Sequence, residues 1–201
     1  MKPSTVRLAG ALIALGGIVW VTTRLVLGPQ PAEAMHATEI AGGGAFQIGL
    51  IAMLLVMRAT NATGSGRSGR FVVHAGLLFV ALATLWTLLV TVDTGLAEAG
   101  PVMILDVFWP LSMAWLIVVA VAVFRVRSWP TPARYLPFAA SFVIPVHLGA
   151  EVVGLTQWQG WVLPVLYVAV AYLLVGAAVF RQIPPLVEGP QDTRPTQAAR
   201  S

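Results

Sequence analysis

The sequence predicts an all-α fold: a polytopic membrane helix bundle with six transmembrane helices and both ends on the cytoplasmic side. Three observations carry this reading. Of 201 residues, 58% are apolar and only 10% are charged, where a soluble domain carries about 25% charged residues. The apolar residues fall in long runs with little or no charge, as helices that cross a bilayer require. The basic residues gather in the segments at one end of those runs.

The runs can be taken in order. The first spans 8–27, follows Lys2 and Arg7, and carries Arg24 near its far end. The second, 40–57, is uncharged between Glu39 and Arg58. The third, 71–92, is interrupted only by His74, and the fourth, 102–124, contains Asp106. The fifth, 135–153, contains His147 and Glu151, and the sixth is 161–180. Each covers roughly 30 Å of hydrocarbon at about 1.5 Å per residue. The short alternating segments of a membrane β-barrel are missing from the sequence.

Charge sets the orientation. With the N-terminus inside, the inner segments hold Lys2, Arg7, Arg58, Arg67, Arg70, Arg125, Arg127, Arg134, Arg181, Arg194 and Arg200, and the outer side holds only Arg24. Basic loops stay on the side of insertion. Glu33, Glu39, Asp93, Glu98, Asp106 and Glu151 fall outside or at outer helix ends. The first run also shares features with a cleaved leader, since Ala32-Glu33-Ala34 fits a small-residue cleavage site over residues 1–34. Its length and Arg24 favour a retained span. The connector 61–70 reads as flexible, and 182–201 as a disordered cytoplasmic tail. Two inverted three-helix repeats are compatible with six spans, but no residue pattern recurs between 1–93 and 101–180.

Composition also excludes chemistries. Without cysteine there are no disulfides, thiolate nucleophiles or Cys-ligated metals. Lys2 is the only lysine and is terminal, so a Schiff base in the bundle is ruled out. The basic pI of about 10.3 comes from loop arginines rather than a basic stripe, which argues against nucleic acid.

The informative residues are the polar ones inside apolar runs, because a buried charge costs about 2.5–3.5 kcal/mol on insertion. Asp106 lies near the outer boundary, with Pro110 four residues later. A proline has no amide for the i−4 carbonyl, so Pro110 frees the backbone oxygen of Asp106. The carboxylate and that carbonyl together suit a cation or proton. The alternative is a kinked helix with Asp106 at the headgroups or paired with Arg24. His147 and Glu151 share a helix face at i, i+4, after Pro145. They suit a proton relay, or Zn²⁺ if a third ligand such as Asp106 joins them. No other cofactor is expected. Glu39, Gly43 and Gln47 recur at i+4 beside the run Gly42–Gly44. This run permits close helix approach, to a protein partner or a second copy as well as within the chain. Trp20, Trp158 and Trp161 fit an outer aromatic belt and Trp129 an inner one. Trp86 and Trp109 lie deeper, where aromatic walls beside a carboxylate suit an organic cation.

The leading expectation is a non-enzymatic one: a small transporter or membrane-accessory protein of a bacterial-type plasma membrane. Its outward-facing polar pocket would be lined by Asp106, His147, Glu151 and Glu39, with Gln47, Trp86 and Trp109 around them. A metal-dependent hydrolase using His147, Glu151 and Asp106 is one alternative. A structural or sensory partner of another membrane protein is the other.

Overall fold

The computed structural model describes residues 1–28, 37–93, 95–96, 100–154 and 157–183, without the side chains of 37–39, 147, 151 and 157–161. The Ala32–Ala34 site and the tail from residue 184 lie outside the described residues. Eight helices follow in chain order: α1 (Pro3–Leu27), α2 (Ala37–Ala59), α3 (Arg67–Val92), α4 (Gly100–Asp106), α5 (Phe108–Val126), α6 (Leu136–Ala140), α7 (Val143–Val152) and α8 (Gln157–Gln182). No strand occurs among the described residues. Most helices outrun the apolar stretches by a turn, because hydropathy marks only the hydrocarbon-matched part and flanking polar residues continue the hydrogen-bond ladder.

Five segments are long and apolar enough to cross a membrane: Pro3–Leu27, Ile40–Ala59, Arg67–Val92, Gly100–Val126 and Val162–Gln182. The fourth is interrupted at Val107. Pro110 has no amide to offer the Asp106 carbonyl, and regular bonding resumes with the Leu111 amide on the Val107 oxygen at 3.2 Å. Asp106 therefore ends α4.

The segment 135–153 departs from the expected single helix. It forms α6 and α7, separated at Ser141–Phe142. The regular ladder ends at the Ser141 amide, shared between the Pro137 and Phe138 carbonyls, and the Phe142 amide tightens onto the Ala139 carbonyl three residues back; the Ser141 hydroxyl donates to the Phe138 carbonyl at 2.8 Å, and Pro145 offers no amide to Ser141. No single helix of spanning length forms there.

The helices pack in a ring. Each long helix lies against its chain neighbours, the α4–α5 pair meets α3, α5 meets α6 and α7, and α8 closes the circle on α1. Phe46 fills the centre. Its ring meets Tyr172 of α8 edge-on at 4.7 Å, Trp20 of α1 at 5.7 Å and Trp109 of α5 at 6.4 Å. Around it Ile13, Leu50, Leu54, Val80, Val123, Val168 and Val175 are buried, while Leu8, Val26, Phe71 and Leu88 face outward. Such an apolar exterior suits lipid contact and is compatible with a membrane protein.

Close approach depends on glycine. A Cβ on Gly10 of α1 would lie 2.6 Å from the Phe180 nitrogen and 2.7 Å from the Gly176 oxygen of α8. A Cβ on Gly176 would lie 2.6 Å from the Gly10 oxygen. On the other side of α1, a Cβ on Gly16 would lie 2.6 Å from the Ala45 oxygen of α2. In hydrocarbon, where apolar side chains gain nothing by leaving lipid, backbones this close gain dispersion contacts that bulkier residues would forbid.

The register of these contacts is antiparallel, so the described basic residues other than Arg24 gather at one end. The connector there is packed rather than flexible. Asn61 and Gly64 take positive φ of 51° and 101°, which reverses the chain within a few residues and buries Ala62 and Thr63. The Thr63 hydroxyl donates to the Gly69 carbonyl at 2.7 Å. Trp129 is also buried, and its indole N–H donates to Thr60 Oγ1 at 2.9 Å, so it docks one connector on another instead of lying in an aromatic belt.

Gly10→Val is expected to lower stability in detergent by about 1–3 kcal/mol, the usual cost of overpacking. Gly43→Ala, with nothing within 4 Å of the added Cβ, is expected to be neutral or mildly stabilising. Thermal melts followed by the monodisperse fraction would check both.

Candidate functional site

Most polar side chains within the helices are satisfied locally. Thr23, Thr60, Thr84, Thr87 and Thr91 each donate to the carbonyl four residues back, at 2.7–3.1 Å. Such back-bonding keeps a hydroxyl tolerable in hydrocarbon. Trp115 donates its indole N–H to the Val72 carbonyl at 2.9 Å. Against this pattern Gln47 and Trp86 stand apart. Gln47 is 2% exposed and Trp86 is 9% exposed, yet neither amide atom of Gln47 nor the indole nitrogen of Trp86 has a hydrogen-bond partner among the described residues. A buried polar group left unmatched costs about 1–3 kcal/mol.

Trp86 lines a cavity of about 320 Å³ at the end of the bundle opposite the basic one. The volume lies at the low end of small-molecule sites. Trp20 and Arg24 of α1 form one wall, and Ile40 and Gly43 of α2 another. Trp86 and Thr87 of α3 close a third side, and Asp106 and Trp109 complete it at the α4–α5 break. Local structure places each group. The break at Val107 sets Asp106 at an exposed rim, while Val102 and Leu105 of α4 pack on Ile40, Trp86 and Val90. Gly43 leaves open space where a side chain would intrude. The Arg24 guanidinium carbon sits 5.8 Å from the centre of the Trp20 ring, within cation–π range. Gln47 lies one turn below Gly43 on the same helix face. Trp86 is six residues before the end of α3, so the cavity reaches about 9 Å into the bundle.

The structure thus brings together three of the residues singled out from the sequence: Asp106, Trp86 and Trp109. Gln47 is not brought to the cavity wall; it is buried one turn from Gly43 along α2. His147 and Glu151 share α7, and Glu39 lies in the first turn of α2, but their side chains are outside the described residues. Among the described residues no group of three His, Asp or Glu is gathered for a metal. The glycine run is used within the chain: Gly42 faces Thr23 of α1, and Gly44 faces Thr87 of α3.

Sequence reasoning missed Trp20 and Arg24 as site residues. Their i, i+4 spacing was the available signal, together with Arg24 being the lone basic residue at that end. The aromatic belt accounted for Trp20, and Arg24 entered only as an alternative partner for Asp106.

The chain matches no known protein family, no curated protein and no solved structure.

Replacing Gln47 by leucine, similar in size and without polar atoms, is expected to stabilise the empty protein by about 1–2 kcal/mol, since it removes an unmatched buried amide. A melting temperature below that of the wild type would contradict this.

Proposed function

We propose that this chain is a six-span membrane protein, with both ends cytoplasmic, that binds a small organic molecule carrying a cationic group in the cavity at its outer end. Its role is transport or membrane-accessory rather than catalysis. In this reading α6 and α7 together make the fifth crossing, as a broken helix. Irregular backbone at membrane depth is tolerated where protein or a cavity covers it.

One observation supports this most: a carboxylate, an arginine and three tryptophan rings from four separate helical segments line one cavity. A cavity that presents groups of both signs beside aromatic faces is complementary to a ligand carrying the opposite groups. Asp106 accepts the cationic group. Trp86 and Trp109 supply ring faces that attract a cation. Arg24 and the Trp86 indole N–H offer donors to any anionic or carbonyl oxygen of the same molecule. His147 on α7 is the imidazole this reading assigns to proton exchange.

The three cavity tryptophans make binding observable. Alkylammonium ions titrated into the detergent-purified protein are expected to change tryptophan emission saturably. Asp106→Asn is expected to weaken that response about 10–100-fold, the effect of losing a charged partner worth roughly 1.5–3 kcal/mol. Equal affinities of wild type and Asp106→Asn would overturn the proposal.

A further inference from the structure

A second cavity, of about 210 Å³, lies on the other side of the same two residues. It is bounded by Trp20 and Arg24 of α1, by Val143, Ile144 and Leu148 of α7, and by Pro164 and Val165 of α8. Apart from Trp20 and Arg24, every lining residue among the described ones is apolar. Leu148 at its edge is 53% exposed while Val165 is 3% exposed, so the cavity runs from the outer surface of the bundle to its interior. That surface faces lipid in the six-span reading. The polar cavity with Asp106 and the apolar cavity with Leu148 therefore meet at the Arg24–Trp20 pair.

We infer that the two cavities together take one amphiphile: a zwitterionic phospholipid-like molecule whose ammonium–phosphate headgroup occupies the polar cavity and whose hydrocarbon chain lies in the apolar one. This rests on the binding role proposed for the Asp106 cavity and names its ligand class. Charge complementarity selects the headgroup. Asp106 matches an ammonium, while Arg24, at the junction, matches a phosphodiester, for which arginine's planar fork is well suited. The buried Trp86 indole N–H is a second donor, without a partner among the described residues, and a phosphate oxygen would satisfy it. A purely anionic headgroup would leave Asp106 facing like charge. A headgroup with no chain would leave the apolar cavity unfilled. Exposed Leu148 puts the mouth of the apolar cavity on the outer surface of α7, where a chain can enter sideways from the bilayer.

Native mass spectrometry of the full chain, presented with phosphatidylethanolamine or phosphatidylglycerol of identical acyl chains, tests this. One phosphatidylethanolamine per chain is expected, held at least tenfold more tightly than phosphatidylglycerol, with the preference lost in Asp106→Asn. Leu148→Trp and Ile144→Trp fill the apolar cavity. Each is expected to weaken phosphatidylethanolamine binding at least tenfold while keeping the tryptophan response to soluble alkylammonium ions, which also shows that the variant is folded. Equal retention of the two lipids by the wild type would overturn the inference, as would undiminished phosphatidylethanolamine binding by both tryptophan variants. If alkylammonium ions still bind in either case, the pocket reading survives and the amphiphile does not. If they fail to bind the wild type, both readings fall.

Discussion

The structure depends on the contact of backbone with backbone along α1. Gly10 meets Gly176 and Phe180 of α8, and Gly16 meets Ala45 of α2, at distances that leave no room for a Cβ. In lipid the hydrophobic effect does not press helices together, so association rests on van der Waals fit and internal hydrogen bonds. These glycines let α1 sit between α2 and α8 and close the ring. Closure in turn sets Phe46 against Trp20, Trp109 and Tyr172, and those rings seal the bundle's centre below the cavity.

Further along the same face of α1 the packing changes character. Toward its C-terminal end the small residues give way to Trp20 and Arg24, whose side chains line cavities. Two cavities result, sharing that pair. The break at Val107 and the break at Ser141–Phe142 lie on the helices that face these cavities. Both follow from prolines that cannot donate to the i−4 carbonyl. The same chemistry that interrupts the helices thus shapes the site, by ending α4 on Asp106 and by starting α7 beside the apolar cavity.

How much of this was legible in the sequence varies with the physics involved. Helices were legible because lipid leaves no other way to satisfy a lone segment's backbone. Hydropathy located every long one within a few residues. The interruption at Val107 followed from Pro110. The split of 135–153 was harder, because Pro145 frees the Ser141 carbonyl but leaves a kink and a full break equally open, and the apolar composition gives no sign that the Phe142 amide tightens onto Ala139. The flexible look of 61–70 misled for a similar reason: glycine and asparagine permit a disordered chain and a tight reversal alike, and only the burial of Ala62 and Thr63 distinguishes them. Within the site, Asp106, Trp86 and Trp109 were found by depth and by charge in an apolar setting. Arg24 and Trp20 were not, because a position near a helix end fits the membrane interface as readily as a cavity wall. Which helices are neighbours, and so which polar groups meet, is a property of the ring and not of any one run.

Ring closure between the first and last helices is the claim on which the site rests, and the cysteine-free sequence allows a direct measurement. Ala11 of α1 and Ala177 of α8 line one groove where the two helices meet. The account predicts that Ala11→Cys/Ala177→Cys, oxidised in intact membranes, forms an intramolecular bond that a reductant reverses. Crosslinks only between chains, or two thiols that stay free and reactive under oxidant, would contradict it.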